Sequence, residues 1–273
     1  AKATKIMSPK GAMDNVGTGG DSSGTYNIST ASSFVVSAAG VPIAKHGNRA
    51  LSSKTGAADV LTQLGVNLDC KMELVQSSMN EAGICFLMAP RHHTAMRHVA
   101  DTRIQLATRT IFNLLGPIAN PADVTRQLVG VFSQDWVEPV AKVLKSLGSK
   151  RAWVVHGSDG LDEITTTGKT KVASLEDGAV TIFEIHPSEA GIKLAKPEQL
   201  VGGEPEENAN ALLSIFNGER NAYRDIVVLN SAACLIISGK AKNLTEGASI
   251  ASNMIDNGKA MEKLEALKEI TNR

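Results

Sequence analysis

Paired cysteines are missing from this 273-residue chain: Cys70, Cys85 and Cys234 are odd in number and far apart. Such a set offers no disulfide framework and fits a reducing compartment. A net charge is missing too, since 28 Lys and Arg balance 28 Asp and Glu. Long-range attraction to nucleic acid or to an anionic membrane is therefore not expected, and any anion must be held by a few residues converging locally. Long apolar runs are absent: the longest, such as residues 34–39 and 232–237, fall far short of the roughly 20 that span a bilayer. Residues 1–10 are polar and lysine-bearing, without the apolar centre of a signal peptide. Together these absences lead us to expect a cytoplasmic protein. The chain also lacks repeats, low-complexity stretches and any obvious nucleophile with a paired base.

What is present is ample apolar material, 42% of residues, enough for one large domain or two smaller ones. Apolar runs at 41–44, 84–88, 127–131, 152–155 and 181–185 predict strands. Stretches at 30–39, 57–64, 72–82, 96–106 and 136–147 predict helices. This alternation predicts a largely parallel sheet covered by helices. Residues 169–185 read as a hairpin turning at Glu176-Asp177-Gly178, and the chain beyond Glu206 reads as helical, with its best stretches at 223–238, 245–256 and 259–270. Thr245 is a plausible helix start and Asn257-Gly258 a plausible stop. Loops at 92–94 and 116–121 read as internal boundaries.

Five motifs could carry chemistry. Gly17-Thr18-Gly19-Gly20-Asp21 can expose several backbone N–H groups to one anion, because no Cβ blocks the approach. It is no Walker loop, and Ser22 stands where a dinucleotide fingerprint needs glycine, so a plain turn remains the alternative. Asn27-Ile28-Ser29-Thr30 leads into a helix and reads both as a cap and as an anion site. Lys45-His46-Gly47-Asn48-Arg49 is expected in the loop after a buried strand, where parallel sheets bind ligands. Asp162-Glu163 closes an acidic run after the strand at 152–155 and offers hard oxygens suited to magnesium, the alternative being an acidic turn. His92-His93-Thr94 precedes Arg97, His98, Asp101, Arg103 and Arg109. A zinc site from His93 and His98 has poor spacing, whereas the arginines suit a carboxylate. Two anion cradles, an acidic pair and a basic loop fit transfer of a phosphorylated sugar better than hydrolysis by a triad.

In this order the motifs closely resemble the anthranilate phosphoribosyltransferase family, from about Asn15 almost to the C-terminus. Arg109-Thr110-Ile111-Phe112-Asn113 with Gly116-Pro117 adds to the match. The resemblance implies an α/β fold of the nucleoside phosphorylase/phosphoribosyltransferase type, a mixed sheet flanked by helices with a small helical domain, here incomplete. It implies that residues 1–92 and 119–273 form the α/β domain and that 93–118 belong to the small domain, whose remainder would lie N-terminal to this chain. The implied activity joins anthranilate to phosphoribosyl pyrophosphate (PRPP) in tryptophan biosynthesis, with Mg2+ as cofactor. By resemblance, Gly17, Gly19, Gly20, Asp21, Thr25, Asn27, Ser29, Thr30, Lys45 and Ser52 bind PRPP. Gly17, His46, Asn48, His93, Arg103 and Gly116 line the anthranilate site, with Arg103 facing the carboxylate. Ser29, Asp162 and Glu163 would hold the metal. A homodimer and an association with anthranilate synthase are further expectations. Two positions depart from the family pattern: Ala57 replaces a common serine, so that one phosphate bond is either missing or supplied by Ser52 or Ser53, and Thr94 replaces a common proline. The competing readings are a pyrimidine nucleoside phosphorylase-like enzyme, an inactive truncated relative, and a nucleic-acid-binding relative, the last disfavoured by neutral charge.

Overall fold

The computed structural model describes residues 5–21, 23–50, 54–93 and 110–273. Seven strands make one sheet in the order β3-β2-β1-β4-β5-β6-β7. They are β1 (Met13–Gly17), β2 (Ile43–Gly47), β3 (Ile84–Met88), β4 (Arg126–Gly130), β5 (Arg151–Gly157), β6 (Thr170–Glu176) and β7 (Ala179–Ile185). β1 to β5 pair in parallel, and β6 and β7 are added antiparallel at one edge. The mixed sheet follows from the connections. Helix-bearing crossovers join the parallel strands, whereas only Asp177 and Gly178 separate β6 from β7. Both have positive φ, 49° and 75°, as a two-residue hairpin turn of primed type requires.

Helices cover both faces. On one lie α1 (Ile28–Ala38), α2 (Ala57–Gln63), α7 (Pro205–Phe216), α8 (Ala222–Ser238), α9 (Leu244–Asp256) and α10 (Lys259–Thr271). On the other lie α3 (Met72–Ser77, continued by a π turn over Ser78–Ala82), α5 (Ile111–Ile118) and α6 (Val137–Ser146). A one-turn α4 (Ala89–His92) follows β3. Strand parity sorts the core between them: Val155 packs with α1 and α8, while Val154 packs with α6.

Three expectations are corrected. β1 escaped the apolar pattern because its sequence is Met-Asp-Asn-Val-Gly, although Asp14 and Asn15 are buried. β2 starts at Ile43 rather than Val41, because Pro42 has no N–H to donate and serves only as an acceptor, for Met13 N at 2.9 Å. Lys45, His46 and Gly47 therefore lie in the strand and not in a loop after it. Asn243, not Thr245, caps α9: its side chain accepts from Glu246 N at 2.9 Å, while Thr245 Oγ1 donates to Glu189 O. The helix expected at 96–106 lies outside the described residues.

Candidate functional site

Strand order reverses at β1. The chain lays down β1, β2 and β3 outward on one side, then returns to place β4 on the other. In open α/β sheets, the carboxyl ends of strands at such a switch point form the ligand crevice. Here those ends are Gly17 and Gly130, paired in register. Both positions demand glycine: a Cβ on Gly17 would strike the Asp162 carboxylate, and one on Gly130 the Asp162 carbonyl. The missing side chains let the 161–163 segment cross directly over the switch point. Gly19 and Gly20 follow with φ of 66° and 75°, and Gly19 N donates to Asp162 Oδ2 at 2.6 Å. Asp21 accepts from Ser23 Oγ at 2.6 Å and faces Asp162 N at 3.4 Å, so it shapes the loop as well as bordering the crevice.

Three carboxylates from two distant segments thus meet. Burial raises Asp162 well above the ordinary range, reinforced by the negative charges of Asp21 and Glu163. Burial also raises Glu163, opposed by Lys45 and by hydrogen bonds from the hydroxyl and backbone N–H of Ser29. Asn27 makes no side-chain cap for α1, so Glu163 takes that place from a segment far along the chain, at the positive end of the helix. Asp159, in the same acidic run, does not join them. Its carboxylate accepts from Thr165 and Thr167 at 2.6 and 2.7 Å and closes its own turn.

Lys45 and His46 are neighbours on β2 and point to opposite faces. Lys45 faces α1: it is buried, donates from Nζ to Asn15 O at 2.7 Å, and feels Asp14, Glu163 and Asp162, while burial lowers its pKa. Asn15 completes that face by donating to Ser29 O at 2.8 Å and accepting from Ser33 Oγ at 2.7 Å. His46 faces α5, with Nδ1 3.1 Å from Gly116 O and its ring 5.0 Å from that of His93. Burial, then the His93 charge, lowers His46 to about 4, and burial lowers His93 as well. Nε2 of both rings is buried without a hydrogen-bond partner among the described residues. Asp14 braces this side. It accepts from His46 N at 3.1 Å and Asn120 Nδ2 at 2.8 Å, and burial pushes it up to about 6 against the pull of Lys45. One strand end therefore carries two half-sites, a hard-oxygen and ammonium side under α1 and an imidazole side under α5.

The sequence profile described as "Glycosyl transferase family, a/b domain" matches residues 9–261. The anthranilate phosphoribosyltransferase of Azospirillum brasilense is 60% identical over 272 residues, covering all of this chain and 76% of that protein. That of Rhodospirillum rubrum is 59% identical over 263 residues, 96% of this chain and 76% of that one. The chain belongs to the anthranilate phosphoribosyltransferase family. Solved structures of the family agree. The Thermus thermophilus enzyme superposes with a TM-score of 0.94 at 41% identity, covering 99% of this chain and 81% of that one. A Saccharomyces cerevisiae enzyme in complex with PRPP and Mg gives 0.91 at 30% identity, covering 99% and 77%.

Of the positions that the anthranilate phosphoribosyltransferase resemblance marks, most gather at the switch point. Gly17, Gly19, Gly20, Asp21, Ser29, Lys45, Asp162 and Glu163 stand together under α1, and His46, His93 and Gly116 under α5. Thr25 and Asn27 lie one step out, tied to the α7 approach by the Thr25–Val201 bridge and by Asn208 Nδ2 donating to Asn27 Oδ1 at 3.0 Å. Asn48 follows β2 and accepts from Arg49 N. Thr30 is different. It is buried, and its Oγ1 turns inward without a partner among the described residues, in a gap lined also by Ser33, Lys45 and Phe86. Ala57 opens α2 without a side-chain bond to give. Ser52, Ser53, Thr94, Arg97, His98, Asp101, Arg103 and Arg109 lie outside the described residues, so the arginine and zinc expectations do too. Sequence reasoning missed Asp14, Asn15 and Asn120. The available signal was two adjacent polar residues inside a short run leading into the glycine loop.

Proposed function

We propose that this chain transfers the 5-phosphoribosyl group of PRPP to the amine of anthranilate, releasing pyrophosphate, with magnesium as cofactor. The observation that carries this reading is the convergence of Asp162 and Glu163 on the glycine loop and α1 start at the switch point. Among the described residues, no group of three or more His, Cys, Asp or Glu could hold a metal by itself. Magnesium does not need such a cage, since it keeps waters and shares substrate phosphate oxygens. Raised carboxylates with a neighbouring Ser29 hydroxyl fit a divalent cation that offsets their mutual repulsion. When bound, magnesium would neutralise charge on the departing pyrophosphate.

The chain's own residues supply position and charge. Gly17, Gly19 and Gly20 present backbone to the pyrophosphate, with Asp21, Thr25 and Asn27 around it, while Thr30 stands behind them with its hydroxyl turned inward. Lys45 places its ammonium on the same face, and Ser52 joins the phosphate end. His46, His93, Asn48 and Gly116 border anthranilate, and Arg103 holds its carboxylate. The neutral imidazole of His46 adds no cation beside an aromatic amine that must approach with its lone pair free. The C1–oxygen bond breaks as the amine nitrogen closes on C1, and the nitrogen sheds a proton. Anthranilate is already nucleophilic, so positioning and electrostatic complementarity do the catalysis.

The reading includes a cytoplasmic location, supported by three buried free thiols; no helix among the described residues is long and apolar enough to cross a membrane. It also includes the division into 1–92 with 119–273 and a helical 93–118 segment, a homodimer, and an association with anthranilate synthase. The test is anthranilate fluorescence with PRPP, with Mg2+ or with EDTA, for the wild type and the double variant Asp162→Asn, Glu163→Gln. Magnesium-dependent loss of fluorescence in the wild type, abolished in the variant, is expected. Near-normal turnover in the variant would refute the role of the pair.

A further inference from the structure

We infer that Asn230 is a positioning residue for the acidic pair: its amide, buried in α8, fixes the backbone of Ile164 and thereby sets where Asp162 and Glu163 stand. This rests on the reading above. Asn230 sits in a stretch that is apolar apart from it and Ser231, with Val227, Val228, Leu229, Ala232, Ala233 and Cys234 all buried around it. Its side chain makes three hydrogen bonds. Oδ1 accepts from Ile164 N at 3.0 Å, and Nδ2 donates to Ile164 O at 2.8 Å and to Ile226 O at 2.9 Å. The third is local to the helix. The first two engage both polar groups of one residue 66 positions earlier, as a neighbouring strand would.

The segment needs that hold. Leu161 O accepts from Gly157 N, and Thr165 N donates to Thr170 Oγ1. Between them, among the described residues, the backbone is tied only at Asp162 N, by the long 3.4 Å contact with Asp21, and at Ile164 by Asn230. The Asp162 and Glu163 side chains reach outward to Gly19 and Ser29. A neutral amide holds the backbone beside them without adding another charge. Ile164 is itself fully buried, so a slip of its backbone shifts both carboxylates together.

Retention of Mn2+ by the protein with PRPP present, followed by electron paramagnetic resonance, tests this without relying on turnover. Asn230→Leu keeps the number and branching of the side-chain heavy atoms and removes both bonds to Ile164. We expect its Mn2+ affinity to fall about 10- to 100-fold, as when the partner orienting a metal ligand is lost. Ser231→Ala, on the same helix, removes a buried hydroxyl that has no partner among the described residues and should bind Mn2+ like the wild type. In turnover, Asn230→Leu should raise the magnesium needed for half-saturation and leave the anthranilate KM unmoved. Wild-type Mn2+ affinity in folded Asn230→Leu overturns the inference. If that variant does not fold, Asn230→Ser, too short to span both groups, carries the same expectation. The double variant at Asp162 and Glu163 separates the two levels. Unchanged Mn2+ binding there overturns the acidic pair itself and Asn230 with it, whereas loss there with none in Asn230→Leu overturns Asn230 alone.

Discussion

His46 stays neutral because it is buried and because His93 stands beside it. Its folded pKa of about 4 lies below the ordinary 6.5, so between those values the unfolded chain binds more protons at this ring. Stability from His46 is therefore complete above pH 6.5 and is lost as pH falls toward 4. Asp14 runs the other way. With its pKa raised from 3.8 to about 6, the folded state binds more protons in between, and its contribution declines as pH rises through that window. Replacing one of the two exposes the other's slope. The difference in unfolding free energy between wild type and His46→Leu should grow by roughly 3 kcal/mol from pH 4 to pH 7. Urea unfolding at the two pH values measures it, and a constant difference would show that His46 is not held neutral by the fold. Lys45 and His46 were legible in the sequence as a dense polar run. Asp14, which accepts from His46 N, and Asn120, which donates to Asp14, were not, because 106 residues separate the two from each other.

At the scale of elements, α9 shows how a start signal is decided. Thr245 and Asn243 are both acceptable caps by type. Only Asn243 has extended backbone with its side chain toward the free N–H of Glu246, and Glu246 answers by accepting from Lys242 N. Asn243→Ala should cost about 1 kcal/mol, read as a lower urea midpoint with an unchanged slope, and should leave Mn2+ binding alone, since among the described residues Asn243 bonds only to the start of its own helix. An unaltered midpoint would mean that the cap contributes nothing. Periodic apolar segments were legible to within about two residues, β3 and α8 among them. β1 was not, since its inward positions are filled by an aspartate and an asparagine whose burial is made tolerable by partners on α1, β2 and the loop at 120. Strand pattern tracks hydrophobicity, and this strand is built for the site.

At the scale of the whole molecule, the candidate site joins β1, α1, β2 and the 161–163 segment, which no short stretch of chain contains. A ligand spanning them binds only the folded state, so PRPP with Mg2+ at 100 times Kd should add roughly 2.7 kcal/mol of stability. Thermal unfolding with PRPP and Mg2+, then with EDTA added, checks this: the upward shift in Tm should largely vanish with the chelator. A shift indifferent to EDTA would separate PRPP binding from the acidic pair. The sequence by itself determined the α/β alternation, the 176–178 hairpin turn, the glycine loop and the acidic pair, because local periodicity and short motifs encode them. It determined family membership as well, because these motifs occur together and in order. Only the tertiary structure decided that Lys45 and His46 serve opposite faces, that Glu163 caps α1, and that Gly130 and Asn230 shape the path of the acidic segment. Those outcomes depend on strand register and on contacts between residues tens to more than a hundred positions apart, and no local pattern carries that information.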